Sequence, residues 1–240
     1  MRPGVHCVTV GSGRGRLHPR RFSFTHSLAS ELAEPIMTVR LHKGDLPDLD
    51  RYGDKVAIDT ETLGLNPARD RLCVVQLSPG DGTADVVQIA RGQTQAPNLT
   101  RLLADPQRLK IFHFGRFDIA MLLKAFGVLC TPVYCTKIAS RLTRTYTDRH
   151  GLKDLAREMV GVDLSKQQQS SDWAAAELTL AQQEYAASDV LYLHAIKARL
   201  DERLAREERT ALAQACFQFL PARAQLDLAG WPDDDIFAHS

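Results

Sequence analysis

The stretch Val56-Ala57-Ile58-Asp59-Thr60-Glu61 decides how the chain is read. Val56, Ile58 and Thr60 alternate with Ala57, Asp59 and Glu61. That is the period-two pattern of a β-strand, in which residues i and i+2 share a face. Asp59 and Glu61 therefore project together from the end of an apolar strand, just before Gly64 and Asn66-Pro67 turn the chain. Like charges this close repel and need a cation or extensive solvation to persist. Taken alone, a solvated strand end and a metal-binding pair account for them about equally well.

Outward from this strand, residues 71–77 (Arg-Leu-Cys-Val-Val-Gln-Leu) and 85–89 (Asp-Val-Val-Gln-Ile) are further β-rich runs. The turn cluster Pro79-Gly80-Asp81-Gly82 separates them, which predicts a three-stranded antiparallel meander. A short helix is predicted over 98–104, ended by Asp105-Pro106, and a fourth strand over 109–114. A helix over 116–126 is closed by Gly127, and an amphipathic one over 151–160 is stopped by Gly161. Residues 167–171 form a polar loop. Thr179-Leu-Ala-Gln182 is a capping box that opens a long helix to about residue 206. A last helix is predicted over roughly 208–219, with Pro221 just past its end. Strands first, then alternation, then helices predict a mixed α/β domain with a helical flank.

Composition narrows the function classes. The 44% hydrophobic and 25% charged residues exclude a wholly disordered or collagen-like chain. No window approaches the roughly 18 uninterrupted apolar residues of a membrane-spanning helix. The net charge of +1 conceals a net of +3 over residues 1–36 and −2 over residues 37–240. The basic stripe of a protein that grips long nucleic acid is therefore weak, and a nucleic-acid substrate is expected to be short or held by metal and a few local contacts. The five cysteines are odd in number and lack a disulfide or zinc-finger spacing, so reduced, mostly buried thiols and a cytoplasmic protein are expected. Residues 1–36 are rich in Gly, Arg, Ser and His without a sustained period and lack the apolar centre of a secretory signal. They read as a transit peptide or, preferably, as an extension ahead of a true start at Met37, where patterned sequence begins; disorder is expected in either case.

Three more residues join the acidic pair. Asp118 lies in the first turn of the helix after Phe112-His-Phe-Gly-Arg-Phe117, where a lone acid is accounted for by the helix N-terminus. Tyr185 and Asp189 are spaced i,i+4 and share a helix face flanked by small residues. Alone, they read as a half-buried tyrosine and a surface aspartate. The ordered set is far more specific than its parts. Four carboxylates and no nitrogen or sulfur ligand suit hard cations, Mg²⁺ or Mn²⁺. Two such ions about 4 Å apart clamp the attacking and leaving oxygens of phosphodiester hydrolysis. A tyrosine hydroxyl suits the orientation of water, but an ordinary pKa of about 10 makes it a poor base at neutral pH.

Asp59-Thr-Glu61, Asp118 within His-Phe-Gly-Arg-Phe-Asp, and Tyr185-Ala-Ala-Ser-Asp189 resemble the three motifs of the DEDDy 3′–5′ exonucleases of the ribonuclease D type. Lys166-Gln-Gln-Gln-Ser-Ser-Asp-Trp173 is similar to the same family, and the likeness covers about residues 37–205. The resemblance implies a ribonuclease H-like α/β fold, a mixed sheet flanked by helices, with two divalent cations. It implies Asp59, Glu61, Asp118 and Asp189 as metal ligands and Tyr185 as the catalytic tyrosine. Only about 35 residues follow the third-motif helix, too few for the helical domains of ribonuclease D proper. The segment from Met37-Thr-Val-Arg-Leu-His-Lys-Gly-Asp-Leu-Pro47, residues 141–150 and the Gly230-Trp-Pro-Asp-Asp-Asp-Ile-Phe237 tail most resemble the short nano-RNase C group. That implies hydrolysis of short RNA, chiefly dinucleotides, to 5′-mononucleotides by a ring-shaped homo-octamer. A ribonuclease D-like trimmer of longer or structured RNA is the alternative.

The expected organisation is an extension (1–36), an exonuclease domain (37–220) and a tail (221–240) whose Trp231 and Phe237 read as cover for a subunit boundary or as part of an unordered end. Thr60, Leu65, His113, Lys166, Gln169 and Ser170 are the expected substrate contacts. Leu65 reads as a wedge between two bases or as core packing, and His113 as a substrate contact or a satisfied buried histidine. Arg144, Arg149 and His150 read as a cap on a 5′-phosphate or as a solvated face. A catalytically idle RNA-binding protein on the same fold is expected to have lost at least one acidic ligand, and all four are present. A two-metal site does not itself read the 2′-hydroxyl, so a DNA exonuclease stays open on sequence alone.

Overall fold

The computed structural model describes residues 38–165 and 167–239. The extension 1–36 and Lys166 lie outside the described residues. Six strands form one sheet: β1 (Thr38–Lys43), β2 (Lys55–Thr62), β3 (Leu72–Ser78), β4 (Thr83–Gln88), β5 (Leu109–Phe112) and β6 (Val133–Cys135). Their order is β1-β4-β3-β2-β5-β6. The meander β2-β3-β4 is antiparallel as the turn residues predict, while β1 joins β4, and β5 and β6 extend from β2, in parallel. A mixed sheet with helices on its faces is the expected architecture.

Seven helices lie among the described residues: α1 (Pro97–Ala104), α2 (Arg116–Phe126), α3 (Thr136–Thr143), α4 (Leu152–Val160), α5 (Leu180–Leu191), α6 (Leu193–Arg206) and α7 (Thr210–Ala229). The box that opens α5 is complete: the Gln182 backbone N–H donates to the Thr179 hydroxyl, and the Gln182 side chain accepts from the Thr179 backbone. One apolar core runs through Val56, Ile58, Leu77, Leu99, Phe112, Ile119 and Leu200. A smaller cluster of Cys73, Val74, Val86, Trp173, Leu178 and Ala186 lies under the start of α5, with Tyr185 packed against it. The four described cysteines are free, three of them buried. No helix among the described residues is long and apolar enough to cross a membrane.

The structure departs from the sequence reading in four places. Strand β5 stops at Phe112, because Phe114 takes φ 64° and turns the chain into α2. The edge strand β1, the three-residue β6 and the helix α3 behind it are additional elements. The single helix expected to about residue 206 is broken at Tyr192, and beyond the break the His194 ring reaches the Ser78 carbonyl. Helix α7 runs through Pro221 rather than ending before it. Its second half is tied down by Asp227, which accepts from Arg116 on α2 at 2.6 and 2.7 Å and from Arg223 at 2.7 Å. Those charge-assisted bonds offset the one backbone bond that proline removes.

Candidate active site

Antiparallel pairing sets the first half of the site. Asp59 lies opposite Gln76 and Glu61 opposite Val74, so both carboxylates share the sheet face on which α5 packs. The register slips just after Glu61, and the chain leaves the sheet through a tight loop. There the Asn66 N–H donates to Asp70 Oδ2 at 3.0 Å, and a Cβ at Gly64 would collide with that carboxylate. This closure pushes Leu65 out to 86% exposure, which excludes core packing for it.

Helix α5 brings the second half. Its Ala186 and Ala187 are fully buried, and such small side chains let the helix approach the sheet closely. Tyr185 and Asp189 follow on the exposed side of that contact, with the Tyr185 ring centroid 6.0 Å from the buried Trp173 ring. One oxygen each from Asp59, Glu61 and Asp189 lie within 4.8 Å of one another. Asp118, 3% exposed in the first turn of α2, stands beside this trio, and its Oδ1 accepts from the Thr60 hydroxyl at 2.6 Å.

Electrostatics sets the character of this cluster. Burial, and then repulsion from Asp118, Asp189 and Glu61, pushes the Asp59 carboxyl far above the ordinary carboxylate range. Burial and the charges of Asp189 and Asp118 push Glu61 up to about 9. Burial raises Asp118 and Asp189 to about 7, against the hydrogen bonds from Thr60 and Tyr185 respectively. Burial and the neighbouring carboxylates raise the Tyr185 phenol as well. None of the four carboxyls forms an ion pair with a described residue. Four converging oxygen donors without a basic partner fit a divalent hard cation, whose charge removes the repulsion.

Asp59, Thr60, Glu61, Leu65, His113, Gln169, Tyr185 and Asp189 all line one cavity of about 310 Å³. Of the expected substrate contacts described, Ser170 is exposed and stands outside that lining. Thr60 reaches the cavity, but its hydroxyl is spent on Asp118. His113 is bonded through Nδ1 to the Thr136 hydroxyl at 2.9 Å, and burial holds its pKa down to about 3, so it lines the cavity as a neutral ring. Neither reading of Arg144 holds. Its guanidinium is buried, bonded to Glu158 at 2.6 Å and to the Ser140 hydroxyl at 3.0 Å, and unavailable to a phosphate. Lys153 and Ser165 also line the cavity, with Gly151, Leu152 and Leu164, and escaped the sequence reading. The amphipathic pattern of α4 marked its apolar face, whereas Lys153 sits on the other face, at the helix start.

This geometry can be set beside known proteins. Residues 27–205 match the 3′–5′ exonuclease family, and the chain belongs to that family. Within it the chain is nano-RNase C-like, a DEDD exonuclease on a ribonuclease H-like fold. It is 66% identical to Brucella melitensis NrnC solved with bound Mg²⁺, with a TM-score of 0.82 over 85% of this chain and 100% of that one. The same Brucella protein bound to pGG is 67% identical, with a TM-score of 0.83 and the same coverage. Escherichia coli RNase D is 30% identical, with a TM-score of 0.65 over 73% of this chain and 46% of that one. Ribonuclease D of Granulibacter bethesdensis is 36% identical over 156 residues, 65% of this chain and 39% of that protein. The chain thus spans about two fifths of the length of the curated relatives it matches.

Proposed function

We propose that the protein is a divalent-cation-dependent 3′–5′ exoribonuclease that hydrolyses short oligoribonucleotides, chiefly dinucleotides, to 5′-mononucleotides. The observation that carries this reading is the convergence of Asp59, Glu61 and Asp189 oxygens within 4.8 Å, with Asp118 held beside them. Those four carboxylates would hold two divalent cations, Mg²⁺ or Mn²⁺. When bound, the cations supply an acidic water and neutralise the charge that builds on the leaving oxygen. Tyr185 keeps its proton, which it donates to Asp189, and its hydroxyl oxygen accepts from the attacking water and so orients it. Water oxygen joins phosphorus and its proton passes to solvent, the bond from phosphorus to O3′ breaks, and the departing 3′-oxygen takes a proton from solvent. Leu65 wedges between the two bases, and Lys153 and Gln169 meet phosphate or base.

Two features support the short substrate: the similarity to Brucella NrnC, solved bound to pGG, and a cavity of about 310 Å³, at the small end for ligand clefts. The exposed Phe219, Phe237, Trp231 and Ile236 suit an interface between copies, in line with a ring-shaped homo-octamer. Free thiols suit the cytoplasm.

Labelled RNAs from a dinucleotide to a long oligomer, with matched DNA, test the reading in Mn²⁺. Fast dinucleotide cleavage with much slower action on the oligomer is expected, and EDTA or Asp59→Ala abolishes both. Equal rates at all lengths move the assignment to ribonuclease D-like trimming.

A further inference from the structure

Strand β3 is buried at every position, and its interior reads Leu72-Cys-Val-Val-Gln76-Leu77. Gln76 is the one amide in that apolar run, and it is fully buried. It stands opposite Asp59 in the antiparallel register, and its Nε2 donates to Asp59 Oδ2 at 2.7 Å. Its other amide atom, Oε1, is buried and has no hydrogen-bond partner. An apolar side chain would suit the strand better and leave no orphan oxygen. Packing therefore does not explain the amide, and its contact with Asp59 does.

We infer that Gln76 is a positioning residue for the cation site: its amide holds Asp59 Oδ2, fixing the carboxylate plane and leaving Oδ1 free to meet a divalent cation. The orientation of the amide is dictated by its neighbour. Only the NH₂ end attracts a carboxylate oxygen, and a reversed amide would set two oxygens face to face. A ligand carboxylate that is itself hydrogen-bonded loses less freedom when a metal binds, and removing such a partner typically lowers metal affinity about 10- to 100-fold. Gln76 lines none of the cavity. Its effect passes through Asp59 alone.

The inference rests on the acidic cluster being a cation site, and calorimetric titration with Mn²⁺ separates the two. Wild-type protein, Gln76→Met and Gln76→Glu are titrated after chelation, and the Tm of each metal-free protein is measured alongside. Met removes the donor at nearly constant volume, whereas Glu replaces the donor with an acceptor. At least a tenfold rise in Kd for both variants, with cleavage by Gln76→Met recovering as Mn²⁺ is raised, is the expected result. An unchanged Kd in a folded variant overturns the role of Gln76 while leaving the cation site intact. Failure of the wild type to bind Mn²⁺ overturns the site itself. Should neither variant fold, glutamine-labelled wild-type protein decides by NMR. The Gln76 side-chain amide resonance is expected to shift in step with Mg²⁺ saturation, and an unmoved resonance overturns the inference.

Discussion

Thr60 and Asp118, from strand β2 and helix α2, are joined by a hydrogen bond of 2.6 Å in which the threonine hydroxyl donates to Oδ1. The residue between the two strand carboxylates points away from them and still serves the cluster, by fixing the fourth acid. Thr60→Val removes the donor while keeping the shape. An increase of about tenfold in the Mn²⁺ Kd is expected, in the range typical for partners of metal ligands, with Thr60→Ser close to wild type. Equal binding by Thr60→Val and wild type would show that Asp118 needs no such support.

Tyr185→Phe separates binding from chemistry. The ring keeps its contact with Trp173, so the fold should be retained, and cation affinity should fall no more than about tenfold through the lost bond to Asp189. Loss of the hydroxyl that orients water is expected to lower kcat by about 10²-fold, the lower end for a positioned proton-handling group. A fully active Tyr185→Phe enzyme would remove the hydroxyl from the reaction.

The acidic cluster makes metal-free stability depend on pH. Glu61 at about 9 and Asp118 and Asp189 at about 7 bind protons more tightly when folded than carboxyls do in the unfolded chain, near 4. Stability falls with pH wherever the folded state binds more protons. The contribution is therefore full below about pH 4 and is lost as pH rises through 7 towards 9. Divalent cations replace those protons. Scanning calorimetry with EDTA should show Tm falling from about pH 5.5 to 8.5, and Mg²⁺ should flatten that decline. A metal-free Tm that rises across the same window would contradict the raised carboxyl pKa values.

The Arg144 guanidinium is engaged within the protein and not free to meet a phosphate. The residue is 2% exposed and paired with Glu158, which accepts at 2.6 Å and whose pKa is held down to about 2 by that contact. Arg144→Met strands part of this network and should cost about 3 kcal/mol in chemical denaturation. KM for a 5′-phosphorylated dinucleotide should be unchanged in the folded fraction. A selective rise in KM would restore the phosphate-cap reading.

The parts of the fold visible in the sequence are those with local causes. Alternation alone places Asp59 and Glu61 on one face, and the Thr179/Gln182 box marks the start of α5 to the residue. Three-residue β6 is too short for any period to register, and α3 follows it without a capping side chain. The continuation of α7 through Pro221 depends on Asp227 meeting Arg116 from a helix far away in sequence, which no local pattern carries. The same holds for Gln76: in sequence it is a polar blemish in a strand, and only the register sets it against Asp59.

The central claim is that Asp59, Glu61, Asp118 and Asp189 together hold divalent cations. Anomalous diffraction from crystals soaked in Mn²⁺ tests it most directly. Two peaks among these four carboxylates, both lost in Asp59→Ala, are predicted. A map with no peak there, or with manganese only at other acidic surfaces, would contradict it.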